Sequence, residues 1–551
     1  MGDAGKAADL ARFDSGRAGE LLAALDGLFA KARQAVLARV SEGGKPSAAK
    51  LDQHQMEAHA LAALATDLET ARQFAAYAGR MTGELEARMA NAFLSQAARH
   101  FTSEVSLSQA EKISVEDVGL THADLEAFRK NPAAASFLAS GARPEDMLQI
   151  ARLIRAKDGK AGDFGLDEDL KLIREQFAKF ADDKVAPIAQ EIHGQDKLVP
   201  IELIEELGEL GVFGLTIPEA FGGSGLGKMA MCIVTEELSR GYIGVGSLPT
   251  RVEIAGELIR LGGTDEQRKT FLPKLAAGKI IPTAVFTEPD NGSDLAKLKT
   301  RAVKDGDYYK ITGQKTWITH AARADLMTVL ARTNPNDSGY GGLSMFLVTK
   351  ERGTEANPFP AEGLEGDEIP VLGYRGMKEF ALGFEDMRVP ASALLGGAEG
   401  KGFKQLMTTF ESARIQTAAR AVGVAQAAFD LAYKYANERI QFGKPIFEFP
   451  RVAYKIAQMA VNIMASRQIT YFSARQKDQG KRCDLEAGMA KLLAAKVAWE
   501  CADVGLQIHG GNGFALEYPI SRVLCDSRVL SIFEGASEIQ AHVIARRLLE
   551  E

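Results

Sequence analysis

The chain has 551 residues, of which 46% are hydrophobic and 25% charged, with a formal net charge of -7. That length is more than one hydrophobic core supports, so three or four domains are expected. A weakly acidic chain without a Lys/Arg cluster argues against nucleic-acid binding, and no apolar run reaches the ~18 residues a helix needs to insert in a membrane.

The N-terminus, MGDAGKAADLARFD, has no apolar core and carries Asp3, Asp9 and Asp14. It does not read as a secretory or transit segment, and Lys6 stands where a myristoylation site wants Ser or Thr, so a cytoplasmic location is expected. Residues 1–160 are expected to be an Ala-rich helical extension. GELLAALDGLFAKARQAVLARV and MEAHALAALATDLETARQFAAYA carry apolar residues at helical spacing, with EGGKPSA as a loop between them. Residues 161–280 are expected to form a second helical domain, opening on DEDLKLIREQFAKFADDKVAPIAQEI with Asp167 as N-cap. Residues 281–395 change character. IIPTAVFTEP, TRAVKDG, DYYKITGQKTWIT, LMTVLART, LSMFLVTK and ALGFEDMRVP are short β-rich runs, with a hairpin turn at Asp305-Gly306. Residues 396–551 return to long amphipathic helices, as in an antiparallel bundle. The fold class is α+β. Cys232, Cys483, Cys501 and Cys525 form no C-x-x-C pair, which points to a reducing compartment and away from structural zinc.

Two segments imitate sites. GGSGLGKM, residues 222–229, nearly spells a phosphate-binding loop, but Met229 removes the hydroxyl that would hold Mg²⁺, and a plain Gly-rich loop is expected. His509, in HGGNG, reads as a structural turn residue.

Four segments carry chemistry together. FTEPDNGSDL, residues 286–295, packs Thr287, Asn291, Gly292 and Ser293 into a turn that offers N–H groups and hydroxyls to a flavin edge or a phosphate. In GQKTWITH, strand alternation puts Lys315, Trp317 and Thr319 on one face, and Thr316 and Ile318 on the other. ERIQFGKPI groups Arg439, Gln441 and Phe442. SIFEGASEIQAHVIARRLL places Glu534 before Gly535 at the start of an amphipathic helix, where the alternative role is to stabilise the helix dipole.

In this order the segments resemble the acyl-CoA dehydrogenase family. The resemblance covers about residues 165–551 and rests on T-E-P-x-x-G-S-D at 287–294, G-x-K-x-W-I-T at 313–319, E-R-x-Q-F-G-K-P at 438–445, Q-I-H-G-G at 507–511 and F-E-G-x-S-E-I-Q at 533–540. It implies a helical domain, a β-domain and a C-terminal four-helix bundle, with FAD as cofactor. It also implies that Glu534 is the base removing the α-proton of a CoA thioester. Some relatives carry that base immediately before the residue matched by Arg414; Ala413 stands there, so Glu534 has no rival.

By the same resemblance Phe286, Thr287, Gly292, Ser293, Trp317 and Thr319 contact the cofactor, Ser293 near phosphate groups. Arg439, Gln441 and Phe442 reach the FAD of a neighbouring subunit, joined by Gln507, Gly510, Gly511 and Glu538. Ser293, Phe410, Glu411, Arg414 and Gly535 face the substrate. Donors from the Glu534 backbone N–H and the flavin ribityl chain would stabilise the enolate, while desolvation makes Glu534 a stronger base. The expected electron acceptor is an electron-transferring flavoprotein.

His320, Ala536, Met377, Glu379 and Pro450 depart from residues usual in the family. The extension and the stretch GYRGMKEFALGFED narrow the resemblance toward a short, branched substrate with a free carboxylate, (2S)-methylsuccinyl-CoA being the leading candidate. Arg251, in a helix that lines the acyl pocket of the family, is the candidate for the carboxylate; an internal partner, Glu253 or Glu257, is the alternative. An acyl-CoA oxidase shares this site but carries an extra helical domain after it. A DNA-binding flavoprotein of the superfamily would need a basic face.

Residues 15–105 also resemble the C-terminal bundle within the same chain. GKP at 44–46 parallels GKP at 443–445, Arg72-Gln73 parallels Arg467-Gln468, and LEARMA at 85–90 parallels LEAGMA at 485–490. Val40, Glu42 and Gly43 replace Arg439, Gln441 and Phe442, so the copy is expected to bind no flavin. Relatives without such a domain pair two dimers through their bundles, and an attached copy covering that face implies a homodimer.

Overall fold

The computed structural model describes residues 10–550; the Met-Gly start and Lys6 lie outside them. The chain forms two compact units, one of Met1–Lys171, Val424–Ser473 and Cys483–Glu551, the other of Leu172–Gly423 and Ala474–Arg482. No helix among the described residues is long and apolar enough to cross a membrane.

In the first unit the extension runs helix Ser15–Val40, a two-stranded hairpin Ser41–Glu42/Lys45–Pro46, helix Gln55–Ala78 and helix Glu84–His100. The C-terminal part runs helix Gly402–Glu438, divided between the units after Gly423, hairpin Ile440–Gln441/Lys444–Pro445, helix Pro450–Asp478 and helix Asp484–His509, then Pro519–Arg528 and Ser537–Glu550. The two hairpins share a register: Ser41 and Glu42 pair with Pro46 and Lys45, Ile440 and Gln441 with Pro445 and Lys444. Both turns put two residues at positive φ, Gly43 and Gly44 at 58° and 82°, Phe442 and Gly443 at 51° and 78°. That is the turn geometry matching the strands' twist. Glycine adopts it freely; Phe442 adopts it at a cost.

The extension packs on the C-terminal helices. Gln96 and Gln458 exchange amide hydrogen bonds at 2.9 and 3.1 Å, and Arg33 donates to the Leu548 carbonyl at 2.6 Å. The buried Arg467 guanidinium lies 3.7 Å from the Phe164 ring centroid. Buried Leu61, Leu64, Leu68 and Phe74 form the apolar stripe of helix Gln55–Ala78. A small ribbon, Glu104–Ser106 with Lys112–Ser114, interrupts what the sequence suggested was all helix.

At the end of the first unit's leading segment Asp167 caps helix Glu168–Phe180 by accepting the Leu170 N–H, as expected; the rest of that helix opens the second unit. The Asp478 carboxylate accepts the N–H groups of Lys228 and Met229 at 2.7 and 3.1 Å, capping helix Gly227–Gly241 from a distant part of the chain. The β-domain is a seven-stranded sheet. Leu364–Ile369, Glu379–Pro390, Tyr308–Thr319, Arg301–Asp305, Leu326–Arg332 and Pro282–Val285 follow in order, and Leu343–Thr349 also pairs with Leu326–Arg332. Its core holds Val285, Tyr309, Ile311, Ile318, Phe346 and Phe380. The strand Leu364–Ile369 was not foreseen: LEGDEI lies at the sheet edge with Leu364 buried and most other side chains toward water, so it lacks an apolar signature.

Candidate active site

The residues singled out from the sequence divide between the units. In the second unit the T-E-P-x-x-G-S-D turn is closed by Glu288 and Asn291, which exchange backbone hydrogen bonds at 3.1 Å. The buried Glu288 carboxylate accepts the N–H groups of Lys299 and Thr300 at 2.7 and 2.9 Å and the Lys315 ammonium at 3.0 Å. Lys315 also donates to the Phe286 carbonyl at 2.8 Å. Burial opposes the Glu288 charge, but Lys315 and the N–H donors hold its pKa below the ordinary value. Burial pushes Lys315 down to about 8. Gly292 and Ser293 are exposed beyond this clamp. Neither Glu288 nor Lys315 was singled out as functional; a lysine in an alternating strand gives no sign of being buried.

Strand alternation fails at the tryptophan. The register pairs Ile318 with Phe380 but Lys315 with Leu382, leaving one extra residue on the tryptophan strand. Trp317 sits at φ 59° and is 56% exposed, while Lys315 is interior. The expected shared face of Lys315, Trp317 and Thr319 is therefore corrected: a bulge inverts the order of sides. The Thr319 hydroxyl donates to Glu379 at 3.1 Å, and the Thr319 backbone carbonyl accepts from the Thr283 hydroxyl at 2.6 Å. Burial raises Glu379 to about 7, against the Thr319 hydrogen bond and the Arg251 charge. His320 is buried at φ 64°; burial, then the charges of Arg323, Arg352, Arg251 and Lys350, push it down to about 3, so it is neutral.

Arg251 is buried in helix Leu248–Gly262. The two glutamates that could have paired with it serve Lys228, the lysine of the phosphate-loop imitation. Lys228 contacts Glu253, which Thr216 also meets, and lies 3.5 Å from Glu257. Glu253 is two residues from Arg251, about 200° around the helix, so they do not share a face. The Arg251 charge also bears on Glu379, His320 and Tyr374. On helix Gly402–Glu438, Glu411 pairs with Lys477 at 2.7 Å and Arg414 lies 5.7 Å from the Phe410 ring centroid. Arg420, fully buried and not foreseen, donates to Ser247 and Thr417 at 3.1 and 2.7 Å.

In the first unit Phe442 is 92% exposed at the hairpin tip, flanked by exposed Arg439, Ile440 and Gln441. Gln507, Gly510 and Gly511 lie exposed at the end of helix Asp484–His509. His509 stacks on Tyr435 at 4.2 Å and bonds the Gly505 carbonyl at 2.8 Å, the structural role expected. Glu534 does not open the last helix, which begins at Ser537 and carries Glu538 in its first turn. It lies in the preceding turn at φ 52°, with Gly535 at 91°. A side chain at Gly535 would meet the Gln540 amide at 2.2 Å, so the turn requires glycine. Left-handed backbone at a non-glycine carboxylate is strain of the kind concentrated at functional sites.

The donor set fits a flavin dinucleotide. In the second unit an exposed indole, Trp317, suits a planar ring and the Gly292-Ser293 turn suits phosphate; in the first unit, by itself, a phenyl ring as exposed as Phe442 calls for an apolar cover.

Three family models match in sequence: the acyl-CoA dehydrogenase N-terminal domain at residues 167–279, middle domain at 283–387 and C-terminal domain at 400–549. The chain belongs to the acyl-CoA dehydrogenase family. It is 56% identical to (2S)-methylsuccinyl-CoA dehydrogenase of Cereibacter sphaeroides over 97% of this chain and 98% of that one. Butyryl-CoA dehydrogenase of Megasphaera elsdenii superposes with a TM-score of 0.66 at 33% identity, covering 70% of this chain and all of that one. A glutaryl-coenzyme A dehydrogenase bound to glutaryl-CoA gives 0.65 at 33% identity, covering 70% and 96%. The family match starts after the extension, whereas the Cereibacter sphaeroides protein is similar across almost the whole chain.

Proposed function

We propose that this chain is an FAD-dependent dehydrogenase that oxidises (2S)-methylsuccinyl-CoA to mesaconyl-CoA. The observation that carries the substrate is the similarity of almost the whole chain to the (2S)-methylsuccinyl-CoA dehydrogenase of Cereibacter sphaeroides, and Arg251, buried in helix Leu248–Gly262, is the residue we assign to the carboxylate. Its charge acts on Glu379 and His320, which flank the Thr319 hydroxyl in sheet and sequence. A cation there meets a carboxylate at the far end of a four-carbon acyl group, where a straight-chain substrate offers only a methyl.

FAD, when bound, accepts the β-hydride. Glu534 takes the α-proton on its carboxylate, and its left-handed turn sets the direction of that carboxylate. Trp317 and Thr319 would hold the flavin ring, and the Gly292-Ser293 turn would hold its phosphates. Arg439, Gln441 and Phe442 serve the cofactor of a second subunit, with Gln507, Gly510, Gly511 and Glu538 on that side. Ser293, Phe410, Glu411, Arg414 and Gly535 contact the CoA thioester. Electrons leave to an electron-transferring flavoprotein, and the enzyme works in the cytoplasm as a homodimer.

The extension is, in this reading, a copy of the C-terminal helices that has lost its working residues. The shared hairpin register and the packing of Gln96 on Gln458 support it.

Anaerobic mixing tests the function. Methylsuccinyl-CoA should bleach the flavin absorbance at least tenfold faster than butyryl-CoA; equal rates would overturn the carboxylate reading. Rapid peroxide formation in air would favour an oxidase.

A further inference from the structure

Lys491 is a large side chain with 0% exposure, in the interior of helix Asp484–His509. An ammonium is costly to bury and persists where strong acceptors meet it. Its nitrogen lies 2.6 Å from the carbonyl oxygen of Gly535, the residue after Glu534. Gln540, also 0% exposed, donates from one amide nitrogen to the carbonyls of Glu534 and Gly535, each at 3.2 Å. Two successive peptide planes at the strained turn are thus gripped by two buried side chains from two helices.

The helices approach closely because of a glycine. A side chain at Gly488 would come within 3.2 Å of the Ile544 side chain and 3.6 Å of the Gln540 side-chain oxygen Oε1. Gly488 and Lys491 are three residues apart, on one face of their helix. The close approach and the grip on Gly535 therefore come from one stretch, GMAK. The carbonyls of Glu534 and Gly535 fix the two torsions of Gly535 and the second torsion of Glu534, which decide where the Glu534 side chain leaves the backbone.

We infer that Lys491 is a positioning residue for proton abstraction: its ammonium, with the Gln540 amide, locks the Glu534-Gly535 turn in the orientation from which the Glu534 carboxylate reaches the α-carbon. This rests on the reading of Glu534 as the base. Proton transfer depends on sub-ångström placement of the acceptor, while thioester binding draws on many other contacts. Loss of the lock should therefore lower the chemical step and spare binding.

The test uses the full-length FAD-loaded enzyme and Lys491→Met, Lys491→Gln and Glu534→Gln variants. Turnover is read together with exchange of the α-hydrogen in D2O, on a CoA thioester with sulfur at the β-position, which can lose the proton but not the hydride. Lys491→Met should retain FAD and hold KM within about threefold, with kcat and exchange both lowered roughly 100-fold. Lys491→Gln, which keeps a donor, should recover about a tenth or more of the lost rate. In the Glu534→Gln background, Lys491→Met should lower the residual rate no further. Exchange within about threefold of wild type in Lys491→Met overturns the inference. So does a Lys491→Met protein that does not fold or hold FAD, which would make Lys491 a residue of the fold alone. Substantial exchange in Glu534→Gln by itself overturns the assignment of the base instead.

Discussion

The Thr319 hydroxyl donates to the Glu379 carboxyl at 3.1 Å, and the two residues face each other across neighbouring strands. Burial raises Glu379 to about 7. An unfolded glutamate titrates near 4.3, so between those values the folded protein holds the extra proton and stability falls as pH rises. The penalty is absent below that window and complete above about pH 7. Glu379→Gln should remove it, so the variant gains on wild type as pH rises from 4.5 to 8, by on the order of 2–3 kcal/mol. Unfolding curves at several pH values check this; parallel curves would refute it.

Glu534→Gln should give a folded yellow protein with turnover lowered roughly 1000-fold or more, since the amide keeps volume but takes no proton. More than about a tenth of the wild-type rate would remove Glu534 from its assigned role.

Arg251→Met should cost about 2–5 kcal/mol in transition-state binding of methylsuccinyl-CoA, read as kcat/KM. Butyryl-CoA, which has no carboxylate, should lose little. A uniform loss on both thioesters would assign Arg251 to the fold.

Lys315→Met leaves the Glu288 carboxylate buried without its ammonium and should destabilise the β-domain by about 3–5 kcal/mol. Because the same pair clamps the T-E-P-x-x-G-S-D turn, FAD per chain after gel filtration should fall too. Lys315→Met/Glu288→Leu should recover stability but not FAD. A single variant as stable as wild type would show that the pair does not hold the turn.

If the extension occupies the surface that relatives use to pair dimers, the mass in solution should be about twice 59.3 kDa, with one FAD per chain. A stable tetramer, or more than one FAD per chain, would contradict this.

Much of this architecture was legible in the sequence because it follows periodicity. Helix spacing located the bundle, and turn chemistry located the Asp305-Gly306 hairpin, though not the two-residue hairpins at 41–46 and 440–445. What escaped depends on partners far along the chain. Alternation misplaced Lys315 and Trp317 because a bulge is set by the opposing strand. The spacing that marked Glu534 as helical could not reveal a left-handed turn held by Lys491 and Gln540. Asp478 gives no local sign that it caps helix Gly227–Gly241. The edge strand Leu364–Ile369 buries too little to write an apolar pattern.

The packing of the extension on the last helices also sets an order of events during synthesis. Helix Gln55–Ala78 is made early and packs on its early neighbours Ser15–Val40 and Glu84–His100, yet its other main partner, helix Ser537–Glu550, is made last. The second unit is translated in between. The first unit therefore closes a very long loop and cannot finish until helix Ser537–Glu550 has been made. Until then the face of helix Gln55–Ala78 that meets helix Ser537–Glu550 lacks its cover and is open to aggregation. Folding of the first unit should consequently lag behind that of the second, most of which is one continuous segment, Leu172–Gly423.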